Sequence, residues 1–374
     1  MQKLVSVVVS ALLGLLSYAD YGHAHGVIGK RFFPATLVVD DPFVSDEVDL
    51  LKVNKGSRNQ DGAETSVGFE FSKRLTPDFD LSVGWQYLFQ QPTNGPSSSG
   101  AGNPDFGFKY VLARSPDHEF ILTSGFGAEV GGIGPARVAE RISTFAPGLL
   151  FGKGLGDLPD SLKYLRPLSI NGQFQVNIPS RRRTVTTTVN EDGDIEQDTE
   201  HHPTTIPVGF AIMYSIPYLQ SFVKDVGLNA PFANLFPIVE FNFETPVSGF
   251  GKKLTTAFAN PGLIWVGKYV ELGLEAQVPM NKVSGKNAGI NGLIHIFIDD
   301  LLPNIFTWTP GGILGPTRCP NENLGKKRAR CRFDFSVQRY RLSNPRPGAR
   351  FSVAFGPKGW LDGRRSAAKG DDLV

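Results

Sequence analysis

Polar and apolar residues alternate one for one along most of this chain. Between residues 80 and 90, Leu81, Val83, Trp85, Tyr87 and Phe89 share one face, and Asp80, Ser82, Gly84, Gln86 and Gln90 share the other. Just before them, Val67, Phe69 and Phe71 oppose Ser66, Gly68, Glu70 and Ser72. The same period returns over residues 105–112, 119–129, 168–178, 239–244, 270–278 and 290–299. A period of two predicts strands with two unlike faces. These runs approach the about 9–11 residues that a tilted strand needs to cross a bilayer, whereas strands of soluble sheets are usually about 5–6. The pattern therefore predicts an all-β fold, a closed antiparallel transmembrane barrel, rather than a soluble sandwich.

The connections support this. Tight turns at 75–79, 115–118 and 267–268 alternate with long polar stretches at 91–103, 131–140 and 179–204. Residues 154–163 and 217–231 are expected to be less tight turns at the same end as the tight ones, and 245–254 and 281–287 further outer loops. Outer-membrane barrels keep short turns on the periplasmic side and longer loops outside. Eleven strands are clear between residues 64 and 299. If 75–79 is a periplasmic turn, the first of these runs downward, so an upward strand must precede it within 44–55. That makes twelve, an even number as single-chain bacterial barrels have, and places the barrel over residues 44–303. Inside 179–204, Asn190-Glu191-Asp192-Gly193 carries an Asp-Gly turn signal and predicts a polar outer hairpin.

The ends of the chain are different material. Lys3 and the apolar run 5–16, followed by small residues, predict a signal peptide over 1–24, cut after Ala19 or Ala24. Residues 25–43 would then be a periplasmic or lumen segment. Beyond residue 303 the chain turns basic: 311–374 hold 14 Lys and Arg against 5 Asp and Glu. This tail is expected to be a disordered extension, with Cys319 and Cys331 able to form a disulfide in an oxidising periplasm. A composition of 42 Gly and 28 Phe suits tight turns and aromatic belts. A mean hydropathy of −0.12 does not oppose a barrel, because lipid-facing and lumen-facing residues average out.

If the apolar row faces lipid, the polar row lines the interior. The lumen-facing candidates are Glu70, Gln86, Lys109, Glu119, Glu129, Gln173, Glu240, Glu244, Glu271, Glu275 and His295. Their acidic bias predicts a pore that favours cations or neutral solutes over anions. The alternative is a filled interior, in which carboxylates pair with Lys30, Arg31 or Arg137. Enzyme chemistry is not expected. The chain has no Gly-x-Ser-x-Gly or His-Glu-x-x-His motif. His295 has Asp299 four residues on, but no serine nucleophile at useful spacing. His201-His202 lacks a third ligand by spacing, so these are expected to be loop histidines, and neither a metal nor a cofactor is predicted.

Several short stretches carry a family resemblance: residues 25–36 (His-Gly-Val-Ile-Gly-Lys-Arg-Phe-Phe-Pro-Ala-Thr), Asp40-Asp41-Pro42-Phe43-Val44, Asn103-Pro104-Asp105 and Ile298-Asp299-Asp300-Leu301-Leu302-Pro303. In these the chain resembles the outer-membrane barrels grouped under the meta-pathway of phenol degradation, which are described as transporters. The resemblance covers roughly residues 25–303 and departs in the tail. It implies an outer-membrane channel or transporter-like barrel of a Gram-negative bacterium, passing small aromatic or hydrophobic solutes, with no catalytic motif. The competing expectation is a non-transporting structural or surface-binding barrel with a plugged lumen. Expected partners are outer-membrane lipids, the barrel-assembly machinery and a small solute; export argues against nucleic acid.

Overall fold

The computed structural model describes residues 26–60, 62–189, 195–248 and 254–302, all within the first of the chain's two compact units, Met1–Phe335. Twelve strands form a ring: β1 (Glu47–Lys55), β2 (Gly62–Thr76), β3 (Phe79–Pro92), β4 (Asp105–Ser115), β5 (Phe120–Glu129) and β6 (Thr144–Gly154). The ring continues with β7 (Leu168–Gln175), β8 (Thr205–Tyr214), β9 (Leu235–Pro246), β10 (Thr256–Val266), β11 (Val270–Pro279) and β12 (Gly289–Phe297). Each pairs antiparallel with the next, and β12 pairs with β1, so the sheet closes. Closure leaves no row of unpaired edge groups. Twelve strands and antiparallel closure are what the alternation predicted.

The faces are inverted relative to a water-soluble protein. Along β3, Leu81, Trp85 and Phe89 point outward and are 42–45% exposed, while inward Asp80 is 2% exposed. Outside, Phe79, Phe108, Phe126 and Phe145 form a ladder across β3 to β6, with ring centroids 5.9, 5.4 and 6.4 Å apart. Cross-strand aromatic neighbours of this kind stabilise register. Among the described residues no helix is long and apolar enough to cross a membrane.

One end of the barrel carries the tight turns together with two longer connections, and the other carries loops of six residues or more. The short-turn end holds residues 77–78, 116–119, 155–167, 215–234 and 267–269. The long-loop end holds 56–61, 93–104, 130–143, 176–204, 247–255 and 280–288. Within the longest loop, Arg183–Val189 pairs with Ile195–His201 as a hairpin.

The first strand is the least regular. Its register slips between Asp49 and Lys52, a bulge that spends one extra residue. Glu47 and Asp49 therefore face inward on odd positions, and Lys52 and Asn54 on even ones, while Leu50 is 55% exposed. The bulge sits beside the closing seam, where His295 Nδ1 lies 2.7 Å from Asp49 Oδ1 and Asn54 donates to Asn291 at 2.7 Å.

Candidate functional site

The lumen is not empty. Residues 26–46 enter from the short-turn end, rise to mid-barrel and return to that end, where β1 begins. A small hairpin, Val27–Ile28 against Arg31–Phe32, opens the segment. Its apolar side chains meet inward apolar residues of the wall: Phe33, Val39 and Phe43 are at most 8% exposed and cluster with Met213, Ile238 and Ile264. Phe32 stands edge-on to Phe236 and Phe297 at 5.8 and 6.4 Å. Burying such side chains contributes about 1.5–3 kcal/mol each. The wall makes room where the loop touches it: a Cβ on Gly273 would lie 2.7 Å from Leu37 Cδ1, and one on Gly209 2.9 Å from Val39 Cγ2.

Backbone groups of this inner loop find partners on wall side chains. Glu240 of β9 accepts from the backbone N–H of Leu37 (3.0 Å), Val38 (2.8 Å) and Val39 (3.3 Å). Glu271 of β11 accepts from Ala35 N–H at 2.9 Å, and Gln173 of β7 from Asp40 N–H at 2.6 Å. Lys109 of β4 holds the Asp40 carboxylate at 2.9 Å, and Thr123 of β5 donates to Pro42 O at 2.5 Å. Where the loop leaves, Asp46 pairs with Lys73 at 2.7 Å and Arg74 at 3.6 Å. Thus residues from six strands grip one short segment.

The deepest anchor is Arg31, which is fully buried at the short-turn end. Its guanidinium lies 3.1 Å from the Glu119 carboxylate and donates to the carbonyls of Pro167 (2.7 Å) and Arg166. It stacks on Tyr218, 4.0 Å from the ring centre. Burial, reinforced by Glu119, pushes the Tyr218 hydroxyl up to about 12, so it stays a neutral phenol. Glu119 reaches this position by adopting a left-handed backbone, φ 47°, after the 116–118 turn.

Above the loop's tip the barrel is open. A cavity of about 580 Å³ has Leu37, Val38 and Asp40 as its floor and positions of β1 to β7 and β12 as its wall. That wall is built from small residues, among them Gly68, Gly84, Gly107, Gly125 and Gly127, which leaves the space unfilled. A second cavity of about 180 Å³ runs between the loop and β1, β2 and β12, and shares Asp40, Lys52, Glu70 and Lys109 with the first. Two ion pairs narrow the junction: Lys52 with Glu70 (3.4 Å) and Asp49 (3.1 Å), and Lys109 with Asp40.

Residues 130–143 fold against the mouth. Asn103, 3% exposed, uses its whole amide to hold them. Its Nδ2 donates to Glu129 Oε1 and to Glu140 O, both at 2.8 Å, and its Oδ1 accepts from Ile133 N–H (3.2 Å) and Gly134 N–H (3.1 Å). Leu88, Val138 and Ala139 form a small apolar cluster beneath. Asn103→Ala should orphan two of these N–H groups, a loss of about 1–3 kcal/mol, or roughly a tenfold to hundredfold rise in the opened loop. Tryptic cleavage at the exposed Arg137 and Arg141, timed against wild type, measures it.

The sequence-predicted lumen residues divide by role. Glu240, Glu271, Gln173 and Lys109 hold the inner loop; Glu70, Gln86 and Glu129 line the outer cavity. Glu275, 2% exposed, faces Asn291 at 3.4 Å. Glu119 lies below the strands, at the Arg31 anchor. Glu244 belongs to the inward face of β9 but sits exposed at the rim, where Thr205 donates to it at 2.6 Å. His295 is buried as an inward residue, yet its partner is not Asp299. The strand ends at Phe297 and Ile298–Leu301 turn helical, carrying Asp299 away to Arg74 (3.5 Å), so His295 pairs with Asp49 and faces Glu47 at 3.6 Å. The signal peptide of 1–24, the 304–374 tail and the Cys319–Cys331 pair lie outside the described residues.

No family model and no curated protein matches the sequence. Among solved structures, the chain is similar to an outer-membrane channel from Pseudomonas putida F1, with 9% identity, a TM-score of 0.45, and coverage of 71% of this chain and 99% of that one. It is also similar to the KdgM porin in complex with disordered oligogalacturonate, at 13% identity and TM-score 0.39, over 67% of this chain and 98% of that one. The NanC porin matches at 9% identity and TM-score 0.37, over 66% and 98%.

Proposed function

We propose that this chain is an outer-membrane channel for small cationic or neutral solutes, with its short-turn end in the periplasm and no enzymatic role. The observation that supports it most is the pair of neighbouring cavities beside the inner loop, whose linings share Asp40, Lys52, Glu70 and Lys109. Together their linings carry Asp40, Asp41, Glu47, Asp49, Glu70, Asp105 and Glu129, against Lys52, Lys109 and His295. Excess carboxylate in a narrow, low-dielectric passage attracts cations and repels anions. The outward apolar surface supports a lipid setting, and lipid and the barrel-assembly machinery are the partners it requires. The small aromatic or hydrophobic solutes implied by the family resemblance belong to this proposal as its cargo.

In a planar bilayer under a potassium chloride gradient, the reversal potential should have the sign of cation permeation. Anion preference would sink this reading. A second reading, a barrel closed to transport, draws on the Glu240 clamp. Liposomes carrying the wild-type protein should swell in small sugars; a complete absence of swelling would favour the closed barrel.

A further inference from the structure

We propose that Glu140, Glu200 and His202 form a binding site for a divalent transition-metal ion of the zinc class at the long-loop mouth. The residues come from two separate loops. Glu140 lies near the end of the 130–143 connection that Asn103 holds, while Glu200 and His202 lie at the return of the outer hairpin. One ligand atom from each lies within 4.8 Å of the other two.

His202 is what makes this more than a pair of acids. Its side chain is 9% exposed, although it belongs to a loop. The backbone N–H of His202 donates to Arg182 O at 2.9 Å, and Nε2 lies 2.9 Å from Thr184 Oγ1. In the tautomer whose Nε2–H donates to Thr184, the Nδ1 lone pair points toward the carboxylates. Glu140 Oε2 is 4.0 Å from Nδ1, beyond direct hydrogen-bond reach. In that tautomer a lone pair and two carboxylates converge on one point, an arrangement that a cation between them stabilises. A histidine ligand normally donates its other ring N–H to a fixed acceptor, and Thr184 fills that place.

The donor set selects the metal. One imidazole with two carboxylates suits zinc, whereas calcium and magnesium take oxygen ligands alone. Bonds of about 2.0–2.2 Å put neighbouring ligand atoms of a tetrahedral ion about 3.3–3.6 Å apart. The set is therefore slightly open, and the two exposed glutamates need only rotate inward. Bound metal would tie the mouth loop to the hairpin. The spacing of His201-His202 concealed this, because Glu140 is distant in sequence and arrives only through the fold.

The test is a zinc chloride titration of the full chain in detergent micelles, stripped with chelator, against a chromophoric zinc indicator. Wild type should show one saturable site that excess calcium does not displace. His202→Ala should lose it, Glu140→Gln should weaken it, and His118→Ala, at an exposed histidine elsewhere, should keep it. Thr184→Val should weaken it by roughly tenfold through loss of ring positioning. Heat-dependent gel mobility identifies the variants that remain closed barrels; should His202→Ala fail to close, the surface variant Glu140→Gln decides. No saturable site in wild type, undiminished binding in a closed His202→Ala or Glu140→Gln variant, or equal competition by calcium overturns the proposal.

Discussion

Replacing Glu240 with alanine should raise single-channel conductance severalfold and speed liposome swelling while leaving the barrel closed. Glu240 accepts three consecutive backbone N–H groups from the tip of the inner loop. Without it these donors stay buried and unpaired, at about 1–3 kcal/mol each. The docked loop is then disfavoured by at least about 3 kcal/mol, roughly a hundredfold in population. The strand ladder uses none of the Glu240 carboxylate, so the gel mobility of the unheated protein should not change. Glu244→Gln, four residues along the same face but at the exposed rim, is the control and should conduct as wild type does. Unchanged conductance in a folded Glu240→Ala variant would show that the loop's tip is not the barrier.

The second large effect is expected at the other end of the same loop. Glu119→Ala should lower the temperature at which the compact, fast-migrating form converts on heating. It leaves the Arg31 guanidinium buried with two carbonyls and a phenol ring but no counter-charge. Removing one partner of a buried ion pair costs about 3–5 kcal/mol, whereas replacing both with apolar side chains often restores much of the loss. Arg31→Met combined with Glu119→Leu should therefore be more heat-resistant than Glu119→Ala alone. Arg31→Lys should behave more like the single loss, because one ammonium cannot serve a carboxylate and two divergent carbonyls together. A double variant no better than the single one would mean that the carbonyl contacts, not the charge, hold the anchor.

Much of the wall was legible in the sequence; its contents appeared there only as one alternative, a lumen segment over 25–43 with Arg31 among the cations that could pair a carboxylate. β11 alternates without a break, and β3 does so except at inward Leu88, so their faces follow from parity alone. β1 hid its role because its bulge puts Leu50 and Leu51 side by side and brings Glu47, Asp49, Lys52 and Asn54 to one face. The near-continuous apolar runs at 211–213, 236–238 and 263–266 also broke the pattern. Alternation fails there because Met213, Ile238 and Ile264 turn inward to meet the inner loop, and a lumen that holds protein has an apolar half. The candidate carboxylates were found as inward residues, but parity says nothing about height. It could not separate Glu240 in the clamp from Glu244 at the rim. The partners of His295 and His202 lie across a strand seam and between loops, where spacing along the chain carries no signal.

The inner loop leaves the lumen by the end through which it came, its hairpin near Arg31 and its exit at Asp46 both lying at the short-turn end. It is thus a cork on a tether, not a thread drawn through a bead. No strand pair has to part for it to withdraw, and the β12–β1 seam can be sewn around an empty interior. The topology consequently lets barrel assembly and lumen filling be separate events in time, and lets filled and vacant forms interconvert within a finished wall.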